Sequence, residues 1–145
     1  MHARIFCKRL VIVALAAFLS TATSAYAQTL KFKASLDAAQ EVPPNESKGK
    51  GTAELTYDPA TKNLTWTITF DGLTGPAAAA HFHGPAGAGK NAGVALMIGP
   101  SPTSPAKGSA TLTDAQAADL MAGSWYVNIH TAANKAGEIR GQVTK

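Results

Sequence analysis

The segment NLTWTITF, residues 63–70, alternates Leu64, Trp66, Ile68 and Phe70 with Thr65, Thr67 and Thr69, an unbroken period of two in β-favouring residues. Such a run fits a strand with one face in a core and the other toward water, and it fits no helix. The same period recurs in LKFKASL, where Leu30, Phe32, Ala34 and Leu36 oppose Lys31, Lys33 and Ser35. It recurs again in GTAELTY, where Ala53, Leu55 and Tyr57 oppose Thr52, Glu54 and Thr56. Further strands are predicted at 78–83, 93–99, 108–113, 125–131 and 137–143. Turn chemistry separates them at Asp58-Pro59, Asp71-Gly72, Gly84-Pro85 and the proline-rich stretch 99–105. The segment 41–51, EVPPNESKGKG, reads as a loop within one domain. One short helix is expected in AQAADLMA, capped by Thr113 or Asp114 and ended by Gly123, with Leu120 and Met121 packing. The pattern predicts an all-β fold, an antiparallel Greek-key β-sandwich or flattened barrel with one short helix.

Residues 1–27 carry Arg4, Lys8 and Arg9, then the apolar run LVIVALAAFLS, then Ala25-Tyr26-Ala27, the three parts of a secretory signal peptide. Cleavage after Ala27 would leave 28–145 as one domain, periplasmic or secreted, with no later stretch apolar enough to span a membrane. Cys7, the one cysteine of the chain, would leave with the leader, so the remaining domain has neither a disulfide nor a thiolate ligand. The formal charge of +4 also depends on the leader's three basic residues. The other lysines and Arg140 are scattered, which argues against nucleic acid as a partner.

Three histidines remain beyond residue 27. His81 and His83, in AAAHFHGPAG, share one strand face while Phe82 takes the other. In WYVNIHT, Trp125, Val127 and Ile129 alternate against Tyr126, Asn128 and His130. With the apolar phase as core, all three imidazoles point away from it. His81 and His83 lie roughly 6.6 Å apart along the strand at the usual rise, close enough for both rings to converge on one ion with a third from a neighbouring strand. Three neutral nitrogens without carboxylate or thiolate suit Cu(II) or Zn(II). The alternative is structural, with the imidazoles hydrogen-bonding loop backbone.

Around this set, Met97 in GVALMIG takes the outward phase, against Val94, Leu96 and Ile98 inward, and is a candidate axial sulfur or an ordinary apolar residue. Glu138 and Arg140 share an outward phase and, in a hairpin with 125–131, would lie near His130. A cross-strand ion pair is one reading of them. A ligating histidine also needs an acceptor for its second ring N–H, which makes Asn128 and Glu138 candidates for that support. Glu41 precedes Pro43-Pro44, which fix an extended loop.

QEVPP at 40–44, AHFHGPAG at 80–87 and YVNIHTAANKAGEIRGQV at 126–143 resemble, in order, motifs of the CHRD domain, named after chordin and widespread in secreted bacterial proteins. The resemblance runs from about Leu30 to Val143 and implies an immunoglobulin-like sandwich. HFHGPAGAGKNAG more loosely resembles the H-x-H strand and Gly-rich loop of copper–zinc superoxide dismutases. That likeness implies His81, His83 and His130 as copper ligands and Arg140 as an attractor of anions. The chain lacks the further histidines of a bridged zinc site and the cysteine pair that pins the loop, so a mononuclear copper site is implied, with zinc the lesser candidate.

Two function classes follow. One is an exported protein that binds a single copper ion for storage, buffering or delivery. The other is an extracellular adhesion or interaction module with a protein partner, in which the histidines are incidental. A mononuclear copper enzyme of the superoxide-dismutating type is the one enzymatic option, since it needs redox cycling and an open coordination position. No G-x-S-x-G elbow supports hydrolysis.

Overall fold

The computed structural model describes residues 28–145; the predicted leader, Cys7 included, lies outside the described residues. Eight strands form one antiparallel sheet: β1 (Leu30–Asp37), β2 (Lys50–Asp58), β3 (Asn63–Asp71), β4 (Ala77–His83), β5 (Val94–Pro100), β6 (Ala106–Thr111), β7 (Tyr126–Thr131) and β8 (Ile139–Gln142). Their order is β5-β4-β7-β8-β1-β2-β3-β6, curled nearly into a barrel. Each strand predicted from the period of two is present, with ends moved by a residue or two.

The sheet is two four-stranded halves joined at a narrow seam. β1 and β8 pair only at Asp37 and Arg140, supported by a bridge between Lys33 and Thr144. The halves are therefore held mainly by the apolar faces they turn to each other, as a sandwich is. Trp66 of β3 meets Phe82 of β4 edge-on at 5.4 Å between ring centres, and Phe82 meets Trp125 at 5.6 Å. Leu64, Ile68, Val127, Ile129 and Ile139 complete a core closed to solvent. Gly84 is required beside Trp125, because a Cβ there would stand 2.8 Å from the Ser124 carbonyl oxygen.

The helix α1 (Asp114–Met121) has a full capping box: Thr113 accepts from the Gln116 N–H, and the Gln116 side chain accepts from the Thr113 N–H. Gln116 also donates to the Ala95 carbonyl, tying the helix to β5. Leu120 is buried as expected. Met121, expected to pack, is instead exposed, one residue beyond the buried stripe of this two-turn helix.

A second departure lies in β5. His83 pairs with Val94, Phe82 with Leu96, His81 with Met97 and Ala80 with Gly99, so Ala95 and Ile98 are extra residues in bulges. Ala95 takes the core-facing place expected of Val94, which is 55% exposed. Met97 keeps the outward phase.

With no disulfide among the described residues, a buried carboxylate fastens the loops. Glu138, fully buried, accepts from Ser47 Oγ at 2.6 Å, from the Thr74 N–H and hydroxyl at 2.7 Å each, and from the Thr131 hydroxyl. Burial alone would raise its pKa, but these donors outweigh burial and hold it down at about 2 against an ordinary 4.5. A pKa lowered in the folded state contributes stability that is present above 4.5 and lost as pH falls toward 2. Glu138→Gln is expected to lower the unfolding free energy at neutral pH by about 2–3 kcal/mol, and to flatten that acid limb. Urea unfolding of both proteins between pH 2 and 7 measures both effects.

Candidate metal centre

The pairing of β4 with β7 builds the cluster. It sets Ala79 opposite His130, His81 opposite Asn128 and His83 opposite Tyr126, so all three histidines share the face turned from the core. Their ligating nitrogens lie within 4.8 Å of one another. Two nitrogens bound to one tetrahedral ion at 2.0–2.1 Å stand roughly 3.3 Å apart. His81 Nδ1 and His130 Nε2 are already 3.1 Å apart, close to that separation.

Backbone carbonyls fix the two outer imidazoles. His83 Nδ1 lies 3.0 Å from the Ala92 oxygen and His130 Nδ1 lies 2.9 Å from the Lys135 oxygen. A carbonyl can only accept, so each Nδ1 carries its proton and each Nε2 is left with a lone pair. The Nε2 of His130 accepts from His81 Nδ1–H. The Nε2 of His83 is buried with no hydrogen-bond partner in the protein. A ring nitrogen oriented by a carbonyl on its other side and left unpaired is the usual preparation of a metal ligand. For His81 to ligate through Nδ1, its proton must move to Nε2, a tautomer change that breaks the His81–His130 hydrogen bond without releasing a proton.

Burial favours the neutral form of His81 and His83. Burial, then the proximity of His130 and His83, lowers the His81 pKa; burial also lowers that of His83, against the Ala92 bond, which favours the charged ring. The three imidazoles can hold a metal ion. Met97 stands across from His81 and is 55% exposed, on the histidine side of β5.

The support residues are arranged differently from the sequence expectation. The acceptors for the second ring nitrogens are the carbonyls of Ala92 and Lys135, which side-chain patterning cannot reveal. Glu138 does not share an outward phase with Arg140. It precedes β8, follows Gly137 at a φ of 143°, and bonds Thr131, whose side chain is on the face opposite His130. Asn128 faces the histidine side and donates to Glu41 Oε1 at 2.6 Å. Gly137 has to be a glycine, since a Cβ would also stand 2.6 Å from that oxygen. Arg140 is buried. Its guanidinium lies 3.5 Å over the Tyr126 ring and donates to Asn91 Oδ1 at 2.9 Å and the Lys90 carbonyl at 2.7 Å, so it is engaged with loop 84–93 and is not displayed to anions.

Two residues gain importance from the structure. Tyr126 stacks on His83, 5.0 Å between ring centres and 6° from parallel. The outward phase it shares with His130 was its one sequence signal. Glu41, only 6% exposed, has its carboxyl pushed up to about 7 by burial, against the opposing pull of Arg140 and Asn128. A carboxyl raised in the folded state contributes stability that is full below 4.5 and lost as pH rises toward 7. Wild type minus Glu41→Gln, in unfolding free energy, is therefore expected to fall by about 3 kcal/mol between those pH values, a difference that urea titrations at each pH measure.

Among the described residues no helix is long and apolar enough to cross a membrane. A search of curated proteins and of solved structures gives no match. The CHRD domain family matches residues 32–143, a span that runs from within β1 to beyond β8 and takes in His81, His83 and His130. With that match over most of its length, the chain belongs to the CHRD domain family.

Proposed function

We propose that this is an exported CHRD-domain protein that binds one copper ion through His81, His83 and His130 and serves to store, buffer or deliver it. The observation that carries the reading is the unpaired, buried Nε2 of His83, aligned by Ala92 beside two other imidazole nitrogens. An unsatisfied buried acceptor costs stability unless something occupies it. Copper is preferred to zinc because neutral imidazole sets follow the order in which Cu(II) binds more tightly than Zn(II). The absence of a fixed charged ligand leaves a centre whose coordination is completed from the exposed side, where Met97 offers sulfur if the ion is Cu(I). Export, with residues 1–27 as the leader and the periplasm or exterior as destination, accords with the setting general to CHRD domains.

A second reading is an extracellular interaction module, supported by membership of the CHRD domain family, which is named after chordin. The two are separated by titrating the protein lacking residues 1–27 with Cu(II), Cu(I) and Zn(II) against competing chelators, alongside His130→Ala and His83→Ala. The copper reading expects one tight copper per chain, zinc bound more weakly, and loss of tight binding in both variants while they remain folded. Weak binding of all three ions, unchanged in the variants, would contradict it and favour the interaction module.

A further inference from the structure

Loop 84–93 connects β4 to β5 and contributes the carbonyl that orients His83. Its last turn is held by backbone bonds from Gly84 to Gly93 and from Lys90 to Gly87, and by the side chains of Tyr126 and Arg140. The Tyr126 hydroxyl donates to the Ala92 oxygen at 3.3 Å and accepts from the Ala92 N–H at 3.1 Å. Arg140 grips the two preceding residues through Asn91 Oδ1 and the Lys90 carbonyl, and Asn91 passes the contact on by donating to the Val42 carbonyl at 2.9 Å. The ring of Tyr126 is at the same time sandwiched between His83 and the Arg140 guanidinium. Beside the His130 ring, 6.1 Å away, and the Gly93 backbone, the His83 ring meets Tyr126 and the Ala92 carbonyl outside its own strand, and Arg140 touches Tyr126 and the two residues before Ala92.

We propose that Arg140 is the positioning residue of the histidine cluster: by clamping Lys90 and Asn91 and pressing Tyr126 onto His83, it fixes the His83 Nδ1–H to the Ala92 carbonyl and so presents Nε2 to the ion. The proposal rests on the copper reading for its consequence but not for its geometry. Arg140 has reason to stay in place. It is buried on β8 opposite Asn128, with two fixed acceptors for its donors. A lysine there has neither the planar face to stack on Tyr126 nor the forked donors to hold two loop residues at once. In this arrangement the conformation of loop 84–93 and the affinity of the site are one variable, with the loop ordered over the cluster before the ion arrives.

The test uses the signal-free protein, Arg140→Gln, Arg140→Lys and Asn91→Ala. Nitrogen-15 NMR of the histidine side chains reads the His83 tautomer without metal, and chelator competition reads Cu(II) affinity. Wild type is expected to show His83 wholly as the Nδ1–H tautomer. In Arg140→Gln and Arg140→Lys a mixture of tautomers is expected, with Cu(II) affinity lower by about 10- to 100-fold. Asn91→Ala, which removes the side-chain contacts to Arg140 and to the Val42 carbonyl but leaves Arg140 on Lys90 and Tyr126, is expected to shift both readouts the same way by less, and decides the matter if the arginine variants do not fold. An unchanged His83 tautomer in the folded variants would overturn the proposal. Failure of wild type to bind Cu(II) would sink the copper reading while the tautomer still judged the positioning.

Discussion

The antiparallel register of β4 on β7 is the constraint from which the rest of the site follows. Side chains on a strand alternate between two faces, so committing Phe82, Val127 and Ile129 to the core sends His81, His83 and His130 to the other side without freedom to choose. A slip of β4 by one residue would turn His81 and His83 inward and Phe82 outward in the same movement. The stability of the sandwich and the integrity of the cluster are therefore enforced by one set of contacts. That coupling matters in a domain whose two halves share only the Asp37–Arg140 pair and the Lys33–Thr144 bridge at the seam, and no disulfide among the described residues.

The face opposite the core is only partly a surface. Tyr126, Asn128 and Arg140 are as buried as core residues, because loops 41–49 and 84–93 fold across them and satisfy their polar atoms. The result is a second, polar layer, graded from the buried Glu41–Asn128 contact through the Arg140–Tyr126–His83 stack to the half-exposed histidines. The gradation suits an ion-binding site. Rigid buried partners orient the rings, and the side nearer β5, with Met97 and Val94 exposed, remains open.

How much of this was legible in the sequence depends on range. The strands, the capped helix and the shared phase of the three histidines rest on periods of two and on local turn residues, and these are properties of a few neighbouring positions. Val94 departed from its expected face because bulges at Ala95 and Ile98 break the count, and a bulge leaves no local mark in GVALMIG. Glu138 departed because Gly137 turns the chain just before β8 begins. The burial of Tyr126, Arg140 and Glu41 comes from loops distant in sequence. The carbonyls of Ala92 and Lys135 that orient two of the rings belong to residues whose side chains say nothing about them.

X-ray absorption at the copper edge, on the protein lacking residues 1–27 loaded with one equivalent of Cu(II), tests the central claim most directly. Three imidazoles around one ion predict multiple-scattering features from three histidine rings, falling to two in His130→Ala. A spectrum with one imidazole or none, or one unchanged in that variant, would contradict the account and place the ion elsewhere on the chain.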